Sequence, residues 1–293
     1  MNQRIKSIIK KLSKTRIAFI LSIINNILVF VQIIFLKIIW IFSGNKKPDS
    51  KEVQLVCEQV TFIYKSFERQ KMAKRLYRNI QSYYPGVKVI IADDSAKPLK
   101  ITDEYVEVIQ LTFNSGLSAG LNRALQHVTT PFVIRLDDDE LLTPHTRFHK
   151  QLDFLLKHNE VDLVGVLPFD LPKCKSIRKA AQPYFEQSMK EAPEKLMIPH
   201  MTKIDDTHVV VGKTTNIFIT RTDKIREVGY DDNIRMIDHH EFFYRAAGRI
   251  VSCLDTECYV IHYHNWFDRH YQRYRSDYKK DLQYIWMKRN LQK

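Results

Sequence analysis

Arg135-Leu136-Asp137-Asp138-Asp139-Glu140 ends the apolar run Pro131-Phe132-Val133-Ile134 with three consecutive aspartates. An apolar run of this length reads as a buried strand, and three carboxylates at its end cannot be hidden in hydrocarbon, so they face solvent, a cation or a substrate. Oxygen donors suit hard divalent ions such as Mg²⁺ or Mn²⁺, which can in turn hold a ligand's phosphates. The alternative is an acidic helix start, because Thr143-Pro144 follows and acids are favoured there.

Working outward, Val60-Thr61-Phe62-Ile63-Tyr64 is a β-rich run, residues 70–83 have helical periodicity, and Pro85-Gly86 makes a turn. Val87 to Ala92 is a second strand that ends in Asp93-Asp94, Val106 to Leu111 a third, Leu117 to Val128 a helix, and Phe132 to Leu136 a fourth strand. This alternation predicts an α/β body with a mostly parallel sheet, in which ligands sit outside the carboxyl ends of the strands. Asp93, Asp94, Asp137, Asp138 and Asp139 all fall there, so two strand ends point to one crevice. Between them, Asn114 to Asn122 is a small-residue loop opening a helix, where the backbone can approach a ligand and amides can face an anion. A plain Ser-capped helix start is the other reading of that loop.

The chain has 293 residues and 44% hydrophobic content, enough for one large domain or two small ones. Its net charge of +13 is concentrated at the ends: residues 1–51 carry ten Lys/Arg against one Asp, and residues 269–293 carry eight against two. The body between them is slightly acidic, which argues against a nucleic-acid groove and for contact with an anionic membrane surface. Cys57, Cys174, Cys253 and Cys258 lack zinc or redox spacing and read as buried thiols, with a Cys253–Cys258 hairpin disulfide left open. The sequence contains no Asn-x-Ser/Thr acceptor, which favours a cytoplasmic location.

Residues 17–42 form an apolar run of 26 residues, broken only by Ser22, Asn25, Asn26, Gln32 and Lys37. That exceeds the ~20 residues needed to cross a bilayer. With Arg4, Lys6, Lys10, Lys11, Lys14 and Arg16 before it, the N-terminus is expected in the cytoplasm. A spanning helix, which the length favours, sends the body across the membrane. An interfacial helix keeps the body cytoplasmic, and the polar residues weigh on that side. Residues 269–293 read as a basic, aromatic amphipathic helix that rests either on lipid headgroups or on the domain. The expected organisation is a basic segment 1–16, a transmembrane or interfacial helix 17–42, a linker 43–52, a catalytic domain 53–268 and this terminal helix.

From about Val60 to Asn265 the order of features resembles the family 2 glycosyltransferases of the nucleotide-sugar-dependent GT-A fold, a Rossmann-like sandwich. The resemblance implies that the segment Val60 to Arg69, with Ser66, Phe67 and Arg69, contacts the nucleoside, that Asp93 and Asp94 read the base, and that Gly116 to Asn122 flanks the nucleotide. It implies that Asp137 and Asp138 bind the nucleotide and that Asp139, with Asp137, holds a divalent metal, Mn²⁺ or Mg²⁺, on the diphosphate. Within the family, residues 128–133, the Asp triplet, residues 216–231 and His239-His240-Glu241-Phe242-Phe243 resemble the β-1,4-N-acetylgalactosaminyltransferases of the ganglioside-synthase type. Where many family members carry a Glu-Asp pair, this chain reads Asp238-His239-His240-Glu241. A carboxylate is expected to deprotonate the acceptor, with Glu241 favoured over Asp238. His262 and His264, after Tyr259-Val260-Ile261, are candidate late metal ligands. Residues 168–200, rich in proline and charge, read as an excursion over the site.

These features imply a membrane-associated, metal-dependent, inverting glycosyltransferase. It would move a hexosamine or galactose from a UDP-sugar to a glycan or glycolipid acceptor, without a nucleic-acid partner. The rival is a membrane-anchored protein that keeps the nucleotide-sugar fold for binding or assembly without turnover. The Lys- and Ile-rich tail suggests a bacterial inner membrane with a cytoplasmic catalytic domain, with a Golgi type II arrangement as the alternative.

Overall fold

The structure, a computed structural model, describes residues 12, 15–42, 44, 46–174, 177–187, 195–274 and 278–291. Most of the basic segment 1–16, Arg275 and parts of the 168–200 excursion lie outside the described residues. The apolar run forms helix α1 (Ala18–Phe42), and the linker gives way to α2 (Ser50–Gln59), capped by Asp49 in a capping box with Glu52. Then follow β1 (Val60–Ser66), α3 (Gln70–Tyr83), β2 (Lys88–Asp93), β3 (Val106–Gln110), α4 (Leu117–His127) and β4 (Phe132–Asp137). The second half holds β5 (Glu140–Leu141), α5 (Phe148–Lys157), β6 (Leu163–Leu171), α6 (Ile177–Gln187), β7 (His208–Val210) and β8 (Phe218–Arg221). It closes with α7 (Thr222–Val228), α8 (Asp238–Ala246), β9 (Ser252–Tyr263), α9 (Arg269–Gln272) and α10 (Tyr278–Leu291).

One sheet runs in the order β3-β2-β1-β4-β8-β6-β9-β5, with β7 paired to β9. Strands β3, β2, β1 and β4 are parallel, as the alternation predicts, and alternate residues bury on opposite faces. Phe62, Tyr64, Val89 and Ile91 pack with Leu76 of α3 and Leu152 of α5. Ile63, Ile90 and Val133 pack on the other face with Leu121 of α4 and Phe242 of α8. The chain moves outward from β1 to β3 and returns on the other side of β1 as β4. This is the topological switch that opens a crevice at the strand ends. There Lys65 of β1 stands opposite Asp137 of β4.

The mixed half, where β8 runs antiparallel to β4 and β6 while β6 and β9 run parallel, is what the sequence did not show. Glu140-Leu141 pairs with β9 rather than opening a helix, and the next helix starts only at Phe148. The acidic triplet is therefore not a helix start. Strand β9 lies between β5 and β6, so His262 stands opposite Glu140 on one side and Asp170 on the other. All four cysteines are free; Cys253 and Cys258 are buried, whereas Cys174 is exposed.

A register shift in the β6–β9 pairing follows Gly165, and a Cβ added there would meet Thr214 Oγ1 at 1.7 Å and its Cβ at 2.7 Å. Gly165→Ala is therefore expected to destabilise the fold by roughly 3 kcal/mol or more, since a side chain cannot enter this packed layer without moving backbone. The midpoint of urea unfolding measures it.

The terminal helix α10 packs on the domain. Asp281 accepts from the amides of Arg235 (3.2 Å), Met236 (2.7 Å) and Ile237 (3.3 Å). Ile285 packs with Ile234 and Ile237, and Arg289 donates to the His240 carbonyl at 2.8 Å.

Candidate active site

The Asp triplet lines a cleft of about 580 Å³ with Lys65, Phe67, Arg69, Gly116, His239, His262 and His264. Arg69 grips two of the three carboxylates: it donates to Asp139 at 2.8 Å and to Asp138. Burial, and after it the neighbouring Asp139 and Asp137, pushes the Asp138 carboxyl up to about 7 against the opposing pull of Arg69. Its Oδ2 is buried without a partner. Burial also disfavours the charge on Asp139, but Arg69 and then His262 outweigh it and hold that carboxyl well below the usual range. Asp139 therefore stays ionised. Arg69 also stacks on Tyr271, 4.0 Å from the ring centre.

The two late histidines reach the triplet through a third acid. His262 Nδ1 is 3.0 Å and His264 Nε2 3.3 Å from Asp170 Oδ1, while His262 Nε2 is 3.8 Å from Asp139 Oδ1. Ligand atoms of Asp170, His262 and His264 all lie within 4.8 Å of one another. Burial opposes the charge on Asp170, but its bonds to the two imidazoles hold its pKa far down. Asp170 was absent from the sequence-based set. Its only signal was a carboxylate near the end of an apolar run, the same signal that singled out the triplet. Asp170 and the two imidazoles, with the Asp139 carboxylate 3.8 Å from His262, are donors that fit a divalent cation of the Mn²⁺ type.

On the nucleoside side, Phe67 lines the cleft and packs against Tyr274 (5.0 Å) and Phe113 (5.7 Å). Tyr271 and Tyr274, expected on a helix resting on lipid headgroups or on the domain, both line the cleft. Asp94 is buried behind this wall, where it pairs with Lys65 at 2.5 Å and accepts from the Gly116 amide at 3.1 Å. Burial lowers the Lys65 pKa despite that pair. Gly116 adopts φ +107°, and a Cβ there would press on the Arg235 backbone at 3.3 Å, so the close approach of this loop requires glycine. Asp93 is turned inward onto its own loop, accepting from Ser95 Oγ at 2.6 Å and the Leu99 amide at 2.7 Å. Ser66 is fully buried. Asn122 stands outside the cleft and ties α4 to Tyr230 and Asp232.

The helix expected to supply the base divides its residues. Glu241 is buried and faces away from the cleft: Arg245 donates to both of its oxygens, at 2.5 and 2.6 Å, and Lys288 to one at 2.6 Å. Its lone pairs are spent on tying α8 to α10. Glu241→Gln is expected to cost about 1–3 kcal/mol of stability, read from urea unfolding, with little change in the pH profile of turnover. Asp238 is buried against Arg135, itself fully buried, at 3.3 Å, and Arg135 also pairs with Asp137 at 3.1 Å. Burial opposes the Asp238 charge, but Arg135 and then His239 outweigh it and keep its pKa low. His239 lines the cleft, with Nδ1 3.8 Å from Asp238 Oδ1. Burial lowers the His239 pKa more than Asp238 raises it, so the imidazole is neutral at pH 7. Sequence reasoning passed over it because it sought a carboxylate at this turn.

A switch-point crevice with an acidic strand end, closed by a mixed half of the sheet, defines the GT-A class. The architecture resembles residues 1–349 of TarS from S. aureus, with a TM-score of 0.51 at 16% identity, covering 69% of this chain and 60% of that one. Residues 61–250 match the profile described as glycosyl transferase family 2, and the chain belongs to that family. It is 35% identical over 206 residues to the β-1,4 N-acetylgalactosaminyltransferase 1 of Rattus norvegicus, and 32% identical over 201 residues to the β-1,4 N-acetylgalactosaminyltransferase 2 of Mus musculus. Those alignments cover 67% and 66% of this chain, but only 38% of either relative. A shorter match, 32% over 110 residues, joins it to the putative glycosyltransferase EpsE of Bacillus subtilis, covering 34% of this chain and 39% of EpsE.

Proposed function

We propose that this protein is a metal-dependent, inverting glycosyltransferase that moves an N-acetylhexosamine or galactose from a UDP-sugar to a hydroxyl of a glycan or glycolipid. The observation that carries this is the meeting of Asp137 to Asp139 with His262, His264 and His239 around one cleft at the switch point of the sheet, with Asp170 bonded to the two late histidines. The names of its relatives favour an N-acetylhexosamine, and TarS, which has been solved with UDP-GlcNAc, favours UDP.

In this assignment Asp139, Asp170, His262 and His264 would hold the divalent cation, which would supply charge neutralisation for the leaving diphosphate. Asp137, 30% exposed at the cleft wall, faces the ribose, and Asp138 is the buried anchor that holds Arg69. Phe67 and the Tyr274 cluster bound the nucleoside, and Asp94 fixes Lys65 and the Gly116 loop around it. The base is His239. As the acceptor oxygen bonds to the anomeric carbon, its proton passes to the neutral imidazole, and the bond to the diphosphate breaks with its electron pair leaving on UDP. Asp238 stabilises the imidazolium that forms, and Arg135 keeps Asp238 ionised and in place.

Incubation with UDP-GalNAc, UDP-GlcNAc and UDP-Gal in the presence of Mn²⁺ tests this by the UDP set free. Release from at least one donor, stopped by EDTA, is the expected result. No release from any donor across an acceptor panel would overturn it.

A further inference from the structure

Five polar residues of α1, Ser22, Asn25, Asn26, Gln32 and Trp40, find partners on the catalytic domain. Asn25 Nδ2 donates to the His264 carbonyl at 2.8 Å, and Gln32 Nε2 donates to the Pro172 carbonyl at 3.2 Å. Asn265 Nδ2 donates to Ser22 Oγ and to Asn26 Oδ1, both at 2.9 Å, and Trp40 Nε1 donates to Tyr259 Oη at 3.3 Å. With Ala18, Val29, Ile33 and Leu36 these residues form one stripe at spacings of three and four along the whole helix. From Ser22 to Trp40 the docked length is roughly 27 Å at ~1.5 Å per residue. A bilayer's hydrocarbon core is about 30 Å thick.

We infer that α1 lies in the plane of a bilayer surface rather than across it, and that the cleft beside it admits an acceptor carried on a membrane lipid. A helix crossing the bilayer would drag its docked partners, among them the Asn265 amide and the strand end that carries His262 and His264, into hydrocarbon, where such groups are costly. Lying flat, it leaves them at the water boundary. Its other face is apolar apart from the exposed Lys37, whose amine can reach the headgroups on its long stem: Phe19, Ile27, Phe30, Phe35, Ile41 and Phe42 are 58–83% exposed. The first 51 residues carry ten basic groups against one acid, which suits an anionic headgroup layer and makes lipid, rather than another protein, the occupant of this face. The basic N-terminus and the catalytic domain then share the cytoplasmic side.

The acceptor half of this inference rests on the glycosyl-transfer proposal. A second cleft, of about 950 Å³, runs from Ser22 and Asn26 of α1, past Trp266 and Tyr271, to Arg69 and Asp139. One end of this passage is the membrane-facing helix and the other is the triplet. A sugar on a lipid anchor, held at the bilayer surface, reaches Asp139 along it without leaving the membrane.

The full-length protein is floated with vesicles of phosphatidylethanolamine and phosphatidylglycerol, beside the lipid-face double variant Ile27→Glu/Phe35→Glu. Reporters at residues 1 and 293 record topology. Flotation of the wild type, its loss in the variant and both reporters on one side are expected. Reporters on opposite sides would overturn the in-plane arrangement. So would a wild type that fails to float but self-associates where the variant does not, since a second copy would then cover the face. For the acceptor, UDP release is compared between methyl glycosides and the same glycosides on a hexadecyl chain, with vesicles present. Confinement to one surface should raise kcat/KM for the hexadecyl acceptors at least about tenfold, and the double variant should lose that advantage while keeping its rate on methyl glycosides. Equal use of the two by the wild type would overturn the lipid-borne acceptor. No UDP from any donor would instead overturn the transfer proposal and the acceptor half with it, while flotation and topology still decide the position of α1.

Discussion

Asp139→Ala is expected to lower UDP-sugar turnover about 10²- to 10³-fold, the scale seen when one preorganised group that offsets developing charge is removed. Asp139 is the carboxylate that touches both sides of the candidate metal site: Arg69 at 2.8 Å and His262 Nε2 at 3.8 Å. It is held ionised, chiefly by Arg69 and His262 against the effect of burial, so it offers full negative charge across the working pH range. Its loss leaves Arg69 paired with Asp138 and the histidines paired with Asp170, so the fold should survive with a modest drop in melting temperature. Calorimetry with Mn²⁺ alone gives a readout independent of turnover, and the variant should bind the ion at least about tenfold more weakly. Unchanged turnover and unchanged Mn²⁺ affinity would remove Asp139 from the metal site.

His239→Ala is expected to cost about 10²- to 10⁴-fold in kcat/KM, the usual worth of a positioned general base. The pH profile separates this role from a structural one. Burial lowers the His239 pKa below its ordinary value, so the competent neutral form predominates at neutral pH. The rate should fall as pH drops through that lowered pKa, because the imidazole becomes protonated and can no longer accept. In His239→Ala this acid limb should disappear, while the apparent affinity for the UDP-sugar changes little. Asp238→Asn should retain the limb but move it to lower pH, since the carboxylate that favours the imidazolium is gone. A limb that persists unchanged in His239→Ala and vanishes in Glu241→Gln would hand the role to Glu241 and require its pairs with Arg245 and Lys288 to open.

The parallel half of the sheet was readable because its signals are local. Val60 to Tyr64, Val87 to Ala92 and Phe132 to Leu136 are apolar runs bounded by turns or acids, and the helix over residues 70–83 shows its own period. The acids that end β2 and β4 marked the crevice for the same reason. The mixed half was harder, because β8 is four residues long and β9 takes its partners from distant segments. No local pattern states that residue 262 will lie between residues 140 and 170. The sequence favours Glu241 over Asp238 as the base, and for a similar reason no local pattern separates Glu241 from His239. Both lie on one helix of nine residues, and only the neighbours packed against it show that one faces Arg245 and Lys288 and the other the cleft.

By itself, then, the sequence determined the α/β class, the acidic strand end, the apolar N-terminal helix and the basic ends, because periodicity and composition act over a few residues at a time. The tertiary structure decided which of those groups meet. It brought Asp170, His262 and His264 to Asp139, buried Glu241 in ion pairs, turned His239 to the cleft, and matched Ser22, Asn25, Asn26, Gln32 and Trp40 of α1 to the domain. Contacts between residues separated by tens to hundreds of positions depend on how the sheet closes, and burial then fixes which charges stay free to act.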